Sequence, residues 1–256
     1  MRSDAEVKPR EPEASTLIPE SGEEAFALTA RDIQMFKMAH EQRFVIYHQL
    51  KRAFWPDRSD RANACYKRIT RLVNEGYFTI ERTDMKKRLS IYLITQKAHA
   101  ELKACGEDST LPLYTRTGDF ERSLNHDLNV NSIRILFREF GLDQWTSERV
   151  LKERDHVAWH VPDGVLNVHG RRIAVEFENF LKGRRRYEEL FRSYKKGGRY
   201  YLVFMILRED LRDWLFEMDY NAQQVWFLNY NDLMKYRRLA FLENKRGRRP
   251  LERILK

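Results

Sequence analysis

The sequence predicts an α/β chain, α+β overall, in two parts: three helices closed by a β-hairpin, then a helix, three strands, a helix and a further buried strand. Three observations carry this expectation. Apolar residues recur at helical spacing up to residue 75 and at strand spacing between residues 77 and 94. Basic charge is concentrated: residues 26–104 hold sixteen basic and eight acidic residues, net +8, whereas residues 105–244 are neutral. Finally, an acid at a turn, Asp163, precedes a strand-like run that carries two acids two apart, Glu176 and Glu178.

Composition sets the outer limits. The chain has 256 residues, 42% hydrophobic and 33% charged, with a formal net charge of +9. That length suits two domains, and the charge suits a heavily hydrated surface. No apolar stretch approaches a membrane span, so no membrane partner is expected. Cys65 and Cys105 have neither metal-ligand spacing nor an obvious disulfide pairing, which fits a cytoplasmic location. Residues 1–25 carry three basic and seven acidic residues and lack aromatics, and are read as a disordered acidic leader.

Residues 26–104 form the first expected domain. Thr29 is a good N-cap, with Asp32 placed to complete a capping box, for a helix reaching about His40. A second helix is expected from about Phe44 to Phe54, with Ile46, Leu50, Ala53 and Phe54 on one face. Trp55-Pro56-Asp57 is a turn. A third helix, from Ser59 or Asp60 to Asn74, has Cys65, Ile69, Leu72 and Val73 as its apolar stripe. Glu75-Gly76 ends it. Strands are expected at Tyr77–Arg82 and Arg88–Ile94, with a polar tip between them and a short closing helix capped by Thr95. This is the element order of a winged helix-turn-helix. Residues 105–119 read as a linker.

The second domain is expected over residues 120–240. A helix spans about Phe120 to Phe140, and another helical piece surrounds Trp145 to Leu151. Strands follow at His156–Val161, Gly164–Val168 and Arg172–Phe177. A basic helix covers about Arg184 to Tyr194. Tyr200–Leu207 reads as a strand buried on both faces. A helix near Asp210–Phe216 and a strand near Val225–Leu228 complete the domain, and residues 241–256 read as a basic tail.

The third helix turns Asn63, Lys67, Thr70 and Asn74 away from its apolar stripe, with Arg71 at the edge and Arg58 at its start. Such a face, in a domain of net +8, suits the major groove of double-stranded DNA. Arg82, Lys86, Lys87 and Arg88 in the wing would meet phosphates or a minor groove. The bland alternative is a solvated helix face and hairpin tip.

Side chains two apart on a strand share a face, so Glu176 and Glu178 project together, and a hairpin brings Asp163 near them. Clustered carboxylates persist with a cation, with protons or with basic partners. Asp163, Glu176 and Glu178 are therefore candidate metal ligands. His126 is expected to pack beneath the sheet. His156 and His160 lie four apart, but on a strand, which argues against zinc. Arg184, Arg185, Arg186, Arg192, Lys195, Lys196 and Arg199 either grip phosphate or balance nearby acids.

The pattern Pro162-Asp163-Gly164, then Val175-Glu176-Phe177-Glu178, resembles the PD-(D/E)XK nuclease core. The resemblance implies Mg²⁺ (or Mn²⁺) held by the acids and a Lys that polarises water. Here Glu178 stands where that Lys is usual, so the resemblance implies Asp163, Glu176 and Glu178 as candidate catalytic residues with Lys182, four residues on, as the basic group, and Asp127, on the first helix, as a further candidate for the metal shell. With the winged helix, the Ser123–Leu128 segment and Trp145, the chain resembles the plasmid replication-relaxation family over roughly residues 28–235, which includes mobilisation-protein-like members. That implies a sequence-specific DNA-binding regulatory or accessory protein of a plasmid or mobile element. It needs no cofactor for binding, has a nuclease-like domain used as a scaffold, and leaves a homodimer open. The alternative it implies is a Mg²⁺-dependent endonuclease or nickase acting in plasmid replication or mobilisation.

Overall fold

The computed structural model describes residues 26–56, 61–84, 89–107, 110–116, 118, 120–155, 160–210 and 213–255. Helix α1 (Ala30–Glu41) begins at the signalled cap. The Thr29 hydroxyl accepts from the Asp32 N–H at 3.3 Å, and the Asp32 carboxylate accepts from the Thr29 N–H at 2.6 Å. Asp32 is buried. Burial opposes its charge, yet Arg68 and Thr29 hold its carboxyl below the usual range.

The second helix starts later than its sequence suggests. Arg43 adopts a φ of 74°, which ends the helical path. The β-branched pair Val45–Ile46 then forms a short strand, β1, before α2 (Tyr47–Phe54). Helix α3 (Arg61–Asn74) follows. Gly76, at φ 74°, turns the chain into β2 (Phe78–Arg82), which pairs with β3 (Ser90–Ile94). Strand β1 pairs antiparallel with β3, Val45 opposite Tyr92, so the expected hairpin is a three-stranded sheet of order β1-β3-β2. Helix α4 (Gln96–Ala104) is capped by Thr95. Phe36, Leu50, Cys65, Ile69, Leu72 and Phe78 meet in one core.

Helix α5 (Phe120–Glu139) opens the second half. Strand β4 (Trp145–Ser147) and helix α6 (Glu148–Asp155) follow, then β5 (Gly164–Val168) and β6 (Arg171–Glu178). Residues 145–147 were expected to be helical; they instead pair antiparallel with β5. Of the strand expected at 156–161, residues 156–159 lie outside the described residues, and His160 and Val161 are not in a strand. His169 and Gly170, both at positive φ, make the tight turn between β5 and β6. Helix α7 (Arg184–Gly197), β7 (Leu202–Leu207), α8 (Asp213–Glu217) and β8 (Val225–Asn229) complete the expected order.

Residues 241–255, expected as part of a basic tail, belong to the fold. After α9 (Tyr230–Tyr236) and a 3₁₀ turn (Arg237–Leu239) come β9 (Phe241–Asn244), β10 (Gly247–Pro250) and α10 (Leu251–Ile254). Leu242, Leu251 and Leu255 bury themselves in the core while the basic residues between them face outward. The seven-stranded sheet runs β10-β9-β8-β7-β6-β5-β4. Strands β6, β7 and β8 are parallel and the other neighbours antiparallel.

Alternation along β6 sorts its side chains. Val175 and Phe177 face Ile133, Leu136 and Phe137 of α5. Ala174 faces Tyr187, Phe191 and Tyr194 of α7. Glu176 and Glu178, in step with Ala174, fall on the α7 side.

Helix α5 is buried on more than one side, because it serves two cores. Phe120 and Leu124 pack with Phe44, Ile91 and Leu93, and Ile135 enters the core beneath α1. Polar contacts join the halves. Asn131 Nδ2 donates to the Phe44 carbonyl at 2.9 Å, and Gln49 Nε2 to the Leu128 carbonyl at 2.9 Å. Arg134 meets Glu41 at 2.7 Å. The segment between α4 and α5 is tied down as well, with Leu111 buried and the Pro112 carbonyl accepting from Arg149 at 2.8 Å.

Candidate functional site

The acids lie where β6 ends and β5 begins, and each has found a base or a backbone donor. Asp163 Oδ2 accepts from the Phe177 N–H at 2.7 Å, and His126 Nε2 stands 3.2 Å from the same oxygen. His126 Nε2 also lies 3.1 Å from the Phe177 carbonyl, and its Nδ1 3.5 Å from Asp127 Oδ1. Both ring nitrogens therefore face acceptors, an arrangement that asks for the doubly protonated imidazolium. Burial works against that charge, but bonding and attraction to Asp127 and Asp163 outweigh it and raise the pKa to about 10. His126 thus supplies a positive charge between two aspartates, where a packing role was expected of it.

Asp127 is engaged more strongly on its other side. Arg43 Nη1 donates to both Asp127 carboxylate oxygens, at 2.8 and 2.9 Å, and Nη2 reaches Glu148 at 3.2 Å. The positive φ that breaks the chain before β1 is at this same Arg43. The backbone turn and the ion pair are built on one residue.

Glu176 is buried on the α7 side, where His160 Nε2 and the Tyr194 hydroxyl both bond Oε1. Burial raises the Glu176 pKa, with nearby Asp163 adding to it, while His160 and Tyr194 pull the other way. Burial would lower the His160 pKa, but Glu176 raises it above the ordinary histidine value. Tyr194 is held well above the ordinary phenol value by burial and by the adjacent Glu176. Glu178 turns to Lys182, four residues along in the loop after β6, at 2.8 Å.

The three acids proposed as metal ligands thus lie at one end of the strands with separate partners: His126 and Phe177 N–H, His160 and Tyr194, and Lys182. Among the described residues, no group of three or more His, Cys, Asp or Glu side chains is close enough together to hold a metal ion. Gly164 fixes the local geometry. A Cβ there would come within 1.9 Å of the Trp145 ring, so the indole lies directly over the residue after Asp163.

In α3, Cys65, Ile69 and Leu72 point inward, while Asn63, Lys67, Thr70, Arg71 and Asn74 are exposed. Arg71 stacks on Phe26 with its guanidinium 4.9 Å from the ring centroid. Arg68 turns inward to Asp32 and to the Ala27 carbonyl. Tyr66, 62% exposed, shares the outer face and was not singled out from the sequence, although its place between Cys65 and Lys67 sets it off the apolar stripe. In the β2–β3 pair, Arg82 ends β2 on the exposed side. Arg58, Lys86, Lys87 and Arg88 lie outside the described residues. Along α7, Arg184 and Arg185 pair with Glu188 and Glu189 at 3.5 and 3.2 Å, which puts those two arginines in surface ion pairs.

No family model matches the chain, and no curated protein or solved structure matches it.

Proposed function

We propose that the protein is a sequence-specific DNA-binding regulatory or accessory protein whose first half is a winged helix and whose second half is a PD-(D/E)XK-like scaffold. The observation that carries the reading is the outer face of α3. It presents Asn63, Lys67, Thr70 and Asn74 to solvent, beside a β-hairpin, in a segment of net +8. The element order α1, β1, α2, α3, β2, β3 with sheet order β1-β3-β2 supports it. Asn and Lys or Arg on one exposed helix face are the side chains that read adenine and guanine edges.

The scaffold role rests on the partners of the acids. Asp163, Asp127, Glu176 and Glu178 are matched by His126, Arg43, His160 and Lys182. A metal would have to displace those bases to gather three carboxylates. The link to a plasmid or other mobile element rests on the short motifs at 123–128, 162–164 and 175–178.

Selection of bound sequences from a random duplex pool, with the bound DNA checked for nicks, tests the proposal. The expected result is a recovered consensus on intact strands. Recovery of no consensus removes sequence-specific reading. Metal-dependent nicks would replace the scaffold role with a Mg²⁺-dependent endonuclease using Asp163, Glu176 and Glu178.

A further inference from the structure

We propose that the opposite end of the large sheet is a binding site for single-stranded nucleic acid. Here the starts of β6, β7 and β8 meet the turns after β5 and β9. Together they form an open depression of about 1290 Å³, larger than the ~300–1,000 Å³ typical of small-molecule pockets. A second depression, lined by Arg249, Arg253 and Trp226, adjoins it and shares Arg171, Tyr201, Gln223 and Arg246 with it. No acidic residue lines either one.

Lys195 in the lining pairs with Asp219 at 2.7 Å, but five arginines at this end are left without a carboxylate among the described residues. Arg171, Arg172, Arg246, Arg249 and Arg253 form no ion pair among the described residues, although surface arginines elsewhere in the chain find carboxylates. Two tyrosines are interleaved with them. Tyr201 is 53% exposed, with the Arg171 guanidinium 4.6 Å from its centroid, and Tyr200 is half-buried with Arg172 at 5.2 Å. Phosphates alone need no aromatic ring. Arginines alternating with an accessible ring are the means by which proteins hold unstacked bases along a backbone, and a duplex keeps its bases stacked and out of reach. Every lining residue comes from the second half of the chain, so the site does not rest on the duplex-reading proposal for α3.

The test uses the full chain and a labelled oligothymidylate of about 20 nucleotides, long enough for one to several site sizes. Binding is followed by fluorescence anisotropy at low salt, and thermal melts confirm that each variant folds. Wild type should bind. Arg171→Glu with Arg246→Glu should weaken binding at least about tenfold through lost phosphate contacts. Tyr201→Ala should weaken it roughly tenfold and Tyr201→Phe much less, because the ring supplies the stacking. The proposal is overturned if the oligonucleotide does not bind wild type, or if the variants of this depression bind as wild type does. It is equally overturned if charge reversal matters and Tyr201→Ala does not, which would describe a surface for any polyanion, acidic protein included.

Discussion

The two ends of the seven-stranded sheet treat charge in opposite ways. At the end bearing Glu176 and Glu178, four acids are met by Arg43, His126, His160 and Lys182. At the other end Lys195 pairs with Asp219, but Arg171, Arg172, Arg246 and Arg249 form no ion pair among the described residues. The segment that contributes most of both ends, residues 105–244, is neutral in total. Neutrality on average therefore conceals a closed site and an open one. A charge already satisfied within the fold is structural; one left over is available to a ligand.

The sharpest way to break the closed end is through its packing. Gly164→Ala drives a methyl into the Trp145 ring, and we expect a loss of about 1–3 kcal/mol or more, read by chemical denaturation. Unchanged stability would mean the indole is free to move and the acid end is not rigidly built.

Next in size is the loss of an internal base. His126→Leu leaves Asp163 without its imidazolium and should cost about 2–3 kcal/mol, somewhat below the ~3–5 kcal/mol of a fully buried pair because the ring is about a third exposed. The matching change at the open end, Arg246→Glu, removes no ion pair and should stay within about 0.5 kcal/mol of wild type. Equal effects from the two would erase the distinction between the ends.

The histidines make the comparison pH-dependent. Folded His126 keeps its proton to about pH 10, whereas an unfolded histidine releases it near 6.5. Its stabilisation is complete below the unfolded value and is lost as pH rises toward about 10. His40 is the reverse case. Burial, with Arg149 and His99 nearby, lowers its pKa to about 4, so the unfolded chain takes up a proton first and stability falls as pH drops from 6.5 toward about 4. Thermal melts across pH should show a maximum between these limbs. His126→Gln should flatten the alkaline limb only; an unaltered alkaline limb would contradict the imidazolium assignment.

The parts of the molecule that were legible in the sequence are those governed by local periodicity. The stripe Cys65, Ile69 and Leu72 and the cap at Thr29 and Asp32 follow from residues within a turn or two of each other. Strand β1 was hidden because Val45 and Ile46 continue a helical apolar pattern, and only pairing with Tyr92 and Ile91 makes them extended. Strands β9 and β10 were hidden by the basic run from Lys245 to Arg249, which is exposed while Leu242 of β9 and Leu251 just after β10 are buried. At the acid site the sequence supplied the carboxylates and Lys182, but not what neutralises the rest. Arg43 lies 84 residues from Asp127, and no spacing rule reaches that far. Because Phe44, Ile91 and Leu93 are covered by α5, a fragment of residues 28–104 should expose them and melt below a fragment extended through residue 140.

Smallest in stability and largest in specificity is the α3 face. Lys67→Ala should leave the melt unchanged and cost about 1–3 kcal/mol of discrimination between a selected site and random DNA. Equal losses on both DNAs would reassign Lys67 to a phosphate contact.

The most direct test of a DNA reader on a closed, non-cleaving scaffold is a single assay on supercoiled plasmid carrying the selected site. The full chain should shift the plasmid in EDTA and leave it supercoiled after excess Mg²⁺ or Mn²⁺ is added. Nicking that appears with metal and disappears in Glu176→Gln would contradict the account, as would the absence of any shift at low salt.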